Sequence, residues 1–186
     1  MVYLQMSAYD LAKIDILAVE DNRILRTLLG AVLNGLGAPH PRVAGDGGQA
    51  LEEIALKVPD LVITDWEMAP MDGLEFVRRV RDASASPCPT LPIIMVTAHS
   101  DLEKVIEARD AGVTEFLTKP FTTSAVYQRI VRVIEDPRQF VRSDDYFGPD
   151  RRRKISDFTG DERRKVDPDL VMLGDDEVDD GEGGEG

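Results

Sequence analysis

Five side chains capable of joint chemistry stand where short apolar runs of this sequence stop. Glu20 and Asp21 follow residues 14–19, Asp65 follows 61–64, Thr97 closes 93–97, and Lys119 follows 113–118. If those runs are neighbouring strands, three carboxylates, a hydroxyl and an ammonium meet at one edge of a sheet. Like charges a few ångströms apart repel and raise each other's pKa, so such a gathering is unfavourable by itself. A divalent cation removes the conflict. Mg2+ takes oxygen ligands, is commonly held by one or two carboxylates, keeps some water and completes its shell with phosphate. Asp21 and Asp65 are the expected carboxylate ligands. Glu20 would act through water, and the Glu67 backbone carbonyl is a further candidate.

The same inventory implies a reaction. A carboxylate attacks phosphorus to form an acyl phosphate, which makes Asp65 the expected nucleophile. Negative charge on the phosphoryl oxygens then needs positioned positive partners. Mg2+ supplies one and Lys119, a point charge on a flexible stem, the other. The Thr97 hydroxyl can donate to the product phosphate. That phosphate adds roughly −1.5 to −2 charges, enough to draw Thr97 and its loop inward.

Positioning these groups requires alternating strands and helices. The five strand-length runs are 14–19, 40–44, 61–64, 93–97 and 113–118, and stretches of helical period lie between them. Ile24, Leu25, Leu28, Leu29, Val32, Leu33 and Leu36 recur at three- and four-residue spacing, with Gly37 placed to end the helix. Asp46, Asp72, Asp101 and Thr122 precede the remaining four helical stretches as caps, and Gly112 ends the fourth. Regular alternation predicts right-handed crossovers and an α/β fold with a five-stranded parallel, doubly wound sheet. Near-continuous apolar runs suit strands buried on both faces. Ligands of such sheets bind outside the carboxyl ends of the strands, where the five groups fall. A flavin or nucleotide site would need a loop rich in Ser, Thr or Gly after the first strand. The sequence has Glu-Asp-Asn-Arg there, which repels phosphate unless a metal is bound.

Composition places the boundaries. The chain has 186 residues, a formal net charge of −13 and a single Cys88. Its charge argues against nucleic acid or an anionic membrane as a whole-protein partner. One cysteine excludes an internal disulfide and leaves Cys88 as a small apolar filler. No apolar run reaches membrane-spanning length and no signal peptide is apparent, so a cytoplasmic location is expected. Residues 1–136 are read as one domain. Residues 137–174 form a basic and aromatic tail, largely irregular, and the acidic run 175–186 is expected to be disordered. Within the tail, 146–154 and 157–165 align at an offset of 11 residues, and each copy sets an aromatic before an acid and a basic cluster. Arg151, Arg152, Arg153, Arg163 and Arg164 could hold phosphates and stack on bases, which would suit a cyclic dinucleotide. The leading expectation is a solvated charged tail folding against a partner or its own domain, with the cyclic-dinucleotide site as the alternative. The stretch 137–186 is too short and too polar for a helix-turn-helix core, so no DNA contact is expected and output falls to protein binding.

The segments IDILAVEDN, LVITDWEMAPMDGLEFV, PIIMVTAHS and GVTEFLTKPF resemble the receiver domains of two-component response regulators, single-domain chemotaxis-type ones above all. The resemblance spans about residues 12–136. It implies a flavodoxin-like strand order of 2-1-3-4-5. It implies Asp65 as phosphoacceptor, Glu20 and Asp21 as metal-binding acids, Thr97 as switch hydroxyl and Lys119 as phosphate-binding lysine. Phe116 falls at the switch aromatic, and the Lys119–Pro120 bond is expected to be cis. Glu67 and His99 occupy the positions that tune phosphate lifetime. His40 reads as structural, and Trp66 as a shield beside the nucleophile. The implied donor is a histidine kinase or phosphotransfer protein, and the readout a downstream protein target. Enzymatic activity would be limited to self-phosphorylation and slow autodephosphorylation.

Overall fold

Four helices of the chain begin at a side chain that satisfies the first-turn amides. Asn22 accepts from Ile24 and Leu25, Asp46 from Gly48 and Gln49, Asp72 from Glu75, and Thr122 from Ala125. Each such cap contributes about 1 kcal/mol. In this computed structural model, which describes residues 9–98, 102–142 and 146–150, they open α1 (Arg23–Gly35), α2 (Gly47–Leu56), α3 (Gly73–Arg81) and α5 (Thr123–Glu135). The remaining helix, α4, spans Leu102–Ala111. Asp101, read as its opener, lies outside the described residues. Gly37 and Gly112 close α1 and α4 with φ of 90° and 102°, a left-handed conformation that glycine adopts without steric penalty.

Strands β1 (Ile16–Val19), β2 (Arg42–Ala44), β3 (Leu61–Asp65), β4 (Ile93–Thr97) and β5 (Glu115–Thr118) form one sheet in the order β2-β1-β3-β4-β5. Every pairing is parallel. All residues of β1, β3 and β4 are buried, as continuous apolar runs in the middle of a covered sheet require. On one face Leu17, Val62, Ile93 and Met95 pack with Ile54 of α2 and with Phe76, Val77 and Val80 of α3. On the other, Ile16, Ala18, Ile63, Ile94 and Val96 pack with Leu29 and Leu33 of α1 and with Val126 and Ile130 of α5.

Three strands begin later than their apolar runs. β1 starts at Ile16 because the Asp15 amide donates to Asp60 Oδ2 at 2.8 Å instead of entering the ladder. β2 starts at Arg42 because His40 has a φ of 58°, outside the extended region. β5 starts at Glu115 because the Val113 amide still caps α4 by donating to Ala108 O, while the Thr114 hydroxyl accepts from Ile93 N at 3.1 Å. Past Asp136, within the stretch read as largely irregular, β6 (Phe140–Arg142) and β7 (Phe147–Pro149) pair as an antiparallel ribbon. The chain divides into two units, residues 1–151 and 152–186, and the second lies outside the described residues.

Candidate functional site

Parallel register brings the strand ends level. Val19 pairs with Thr64, Asp65 with Val96, and Thr97 with Thr118, so the residues at or just after these positions share the carboxyl edge. Glu20, Asp21 and Asp65 each present a carboxylate oxygen within 4.8 Å of the others. Lys119 Nζ stands 2.8 Å from Asp65 Oδ2 and 3.2 Å from Glu20 Oε2. Thr97 is buried at the end of β4, and its carbonyl accepts from the Lys119 amide at 2.8 Å. Four of the five expected groups are thus joined by measured proximity, and Thr97 adjoins them through the backbone. Lys119–Pro120 is cis, as the resemblance implied, and Ala69–Pro70 is a second cis bond.

The acids are held by backbone amides. Asp65 Oδ1 accepts from the Trp66 amide at 2.8 Å, which leaves Oδ2 to Lys119. Glu20 Oε1 accepts from Asn22 N at 3.1 Å, and Asp21 Oδ2 from Ala69 N at 3.3 Å. Arg26 Nη1 donates to the Glu20 carbonyl at 2.6 Å and brings a second cation close to the acid pair. Gly73 supports the turn beyond Asp65. Its amide donates to Trp66 O at 2.8 Å, and a Cβ there would lie 2.1 Å from the Asp65 carbonyl oxygen. No other residue fits at that position.

Burial, and secondarily the Asp65 charge, push the Glu20 carboxyl above its ordinary pKa, although Lys119 and the Asn22 amide offset part of this. Burial alone would lower the Lys119 pKa, but hydrogen bonding and charge from Asp65, followed by Glu20, outweigh it and raise the value. Lys119 is therefore held as an ammonium. Three clustered carboxylates against that ammonium leave a surplus of negative charge. The donors are all oxygen, so a hard divalent cation matches both the charge and the ligand type.

The other expected positions are less directly engaged. Glu67 is exposed. Phe116 is half-buried against the core, and its carbonyl accepts from Arg129 Nε at 2.8 Å. Trp66 is buried beside Asp65, with Lys104 Nζ of α4 lying 5.6 Å from its ring centroid. The His40 amide donates to Asn34 Oδ1 at 3.1 Å, just past the end of α1. His99 and the arginines 151–153, 163 and 164 lie outside the described residues. Sequence reasoning missed Arg26 and Lys104, which left no signal; Gly73 was already part of the motif that follows Asp65 in LVITDWEMAPMDGLEFV.

A doubly wound sheet whose carboxyl edge carries an acid pocket and an ammonium is the architecture of a phosphate-handling signalling domain. The family model for the response regulator receiver domain matches residues 16–131, and the chain belongs to that family. It is similar to the chemotaxis protein CheY-3 of Vibrio cholerae, with 32% identity over 120 residues, covering 64% of this chain and 91% of that protein. It is also similar to the chemotaxis protein CheY of Pseudomonas aeruginosa, with 34% identity over 120 residues, covering 64% and 95%. Among solved structures, Vibrio cholerae chemotaxis protein CheY4 matches with a TM-score of 0.59 and 32% identity, covering 64% of this chain and 98% of that one. Among the described residues no helix is long and apolar enough to cross a membrane.

Proposed function

We propose that Asp65 is the phosphoacceptor of this receiver domain and that its phosphorylation switches a protein-binding face. The observation that carries this reading is the Asp65 carboxylate at the end of β3, 2.8 Å from the Lys119 ammonium and clustered with Glu20 and Asp21. A carboxylate oxygen of Asp65 attacks phosphorus. The bond from phosphorus to the donor, a histidine nitrogen or the oxygen of a small acyl phosphate, breaks and takes its electron pair with it. The Trp66 amide fixes the carboxylate orientation before attack. Lys119 is placed to follow the new negative charge from carboxylate to phosphoryl oxygens. Asp21 and Asp65 would ligate Mg2+ directly, with Glu20 acting through water and the Glu67 carbonyl as a further ligand. When bound, the ion neutralises the acid cluster and the equatorial phosphoryl oxygens.

The phosphoryl group then recruits the Thr97 hydroxyl, and Phe116 on the adjoining strand repacks. A histidine kinase or phosphotransfer protein is the donor in this reading. Likeness to chemotaxis proteins of two bacteria supports a readout through binding to a downstream protein. The test is a titration with acetyl phosphate, or beryllofluoride as its stable analogue, in Mg2+, followed by the fluorescence of Trp66, the sole tryptophan. Wild type responds and Asp65→Asn does not. A silent wild type ends the reading.

A further inference from the structure

Arg81, the last residue of α3, is 5% exposed at the sheet end opposite the acid pocket. A buried guanidinium normally meets a carboxylate. This one donates instead to three carbonyls: Nε to Gly112 O at 2.9 Å, and Nη1 to Pro89 O at 2.9 Å and Leu91 O at 2.8 Å. Its Nη2 is buried without a hydrogen-bond partner. Burial lowers its pKa to about 10, so it stays charged at neutral pH.

An aromatic ring completes its surroundings. The Phe140 centroid lies 5.0 Å from the Arg81 guanidinium carbon. Phe147 packs on Phe140 with centroids 5.8 Å apart and planes tilted by 42°. Arg142 in turn lies 5.0 Å from the Phe147 centroid. The result is a cation–ring–ring–cation stack running outward from a buried arginine. A second tie holds the same segment: Arg138 Nη2 lies 3.5 Å from Glu115 Oε1, a buried acid at the start of β5. Phe140, Phe147 and Arg142 belong to β6 and β7, beyond the family match that ends at residue 131. The receiver's buried cation is thus covered by a segment added to this chain.

We propose that the basal surface around Arg81 is a docking seat for the chain's own residues 138–142 and 146–150, and that the ribbon they form is a releasable strap. Two strands of three residues do not hold together alone, so the ribbon's order comes from its seat. Few contacts tie it down compared with the central strands, which makes it an opening unit separate from the sheet. Desolvation strengthens the inner cation–ring contact relative to the outer, solvated one, so the Arg81–Phe140 layer is the clasp. Release uncovers a guanidinium and turns two phenyl rings, Arg138 and Arg142 toward other molecules. The proposal does not depend on the phosphoacceptor reading.

Native-state hydrogen exchange on the full chain tests it. In wild type the amides of β6 and β7 should exchange together, at least about tenfold faster than those of β1, β3 and β4. Phe140→Leu keeps apolar cover but removes the ring, and it changes a residue outside the family match. It should speed ribbon exchange about tenfold again while β1, β3 and β4 stay as they were. Arg81→Met should do the same if it folds; Phe140→Leu serves regardless. Ribbon amides that exchange in step with β4 would show that the strap does not release. Unchanged ribbon exchange in Phe140→Leu would show that the stack is not its clasp.

Discussion

The two ends of the β-sheet handle charge in opposite ways. At the carboxyl edge, Glu20, Asp21 and Asp65 crowd together against the Lys119 ammonium, and the Glu20 carboxyl is driven above its ordinary pKa. At the other edge a single guanidinium, Arg81, is surrounded by three carbonyls and a phenyl ring. The first arrangement is electrostatically incomplete and gains from an incoming cation and phosphoryl group. The second has Nε and Nη1 satisfied within the fold, with only Nη2 left over. Burial of charge is common to both; what separates a chemical site from a structural one is whether the fold itself supplies the opposite charge or dipole.

Four substitutions would break or sharpen that contrast. Lys119→Met should have the largest effect, slowing phosphoryl uptake from acetyl phosphate about 10²-fold, read by intact-protein mass over time. Wild-type rates in that variant would make the Lys119 contacts purely structural. Asp21→Ala should weaken Mg2+ affinity at least about tenfold, measured by calorimetry in the absence of phosphodonor. An unchanged affinity would remove Asp21 from the metal set. At the basal edge, Gly112→Ala should destabilise the fold by about 1 kcal/mol or more in urea titration, because φ there is 102° and a Cβ would press on Arg81 at 3.0 Å.

The smallest effect is a gain. A carboxyl whose folded pKa is raised binds its proton more tightly in the fold than in the unfolded chain. Stability therefore rises as pH falls through the raised value toward the ordinary carboxylate range, and above that window ionised Glu20 weakens the metal-free fold. Glu20→Gln mimics the protonated form at every pH and can still accept from Lys119. It should raise the melting temperature in EDTA by a degree or more near neutral pH and flatten its pH dependence. A lower melting temperature would mean that the Glu20–Lys119 pair outweighs the cost of burying the charge.

The acid pocket was legible because its cause is regular: continuous apolar runs mark the central strands, and reactive residues stand at their ends. Strand starts were harder to read. At Ile14, His40 and Val113 the apolar pattern runs past the ladder, and local hydrogen bonds or a left-handed backbone decide where pairing begins. Arg81 was invisible for another reason. In the run Arg78–Arg79–Val80–Arg81, nothing in residue type separates the exposed arginines from the buried one. Part of its cover comes from Phe140, 59 positions away in sequence, in a segment whose scattered aromatics and charges carry no strand period.

The outer strands have a consequence for assembly. β2 and β5 border the main sheet and are only three and four residues long. Arg42 on β2 is further occupied by Glu53, with Nη2 2.7 Å from Oε2. Such brief margins offer a foreign strand too little ladder to extend, which guards against aggregation through the sheet. Strand addition to the main sheet is therefore a poor route to recognition, and crowding many copies together will not by itself zip their sheets into one.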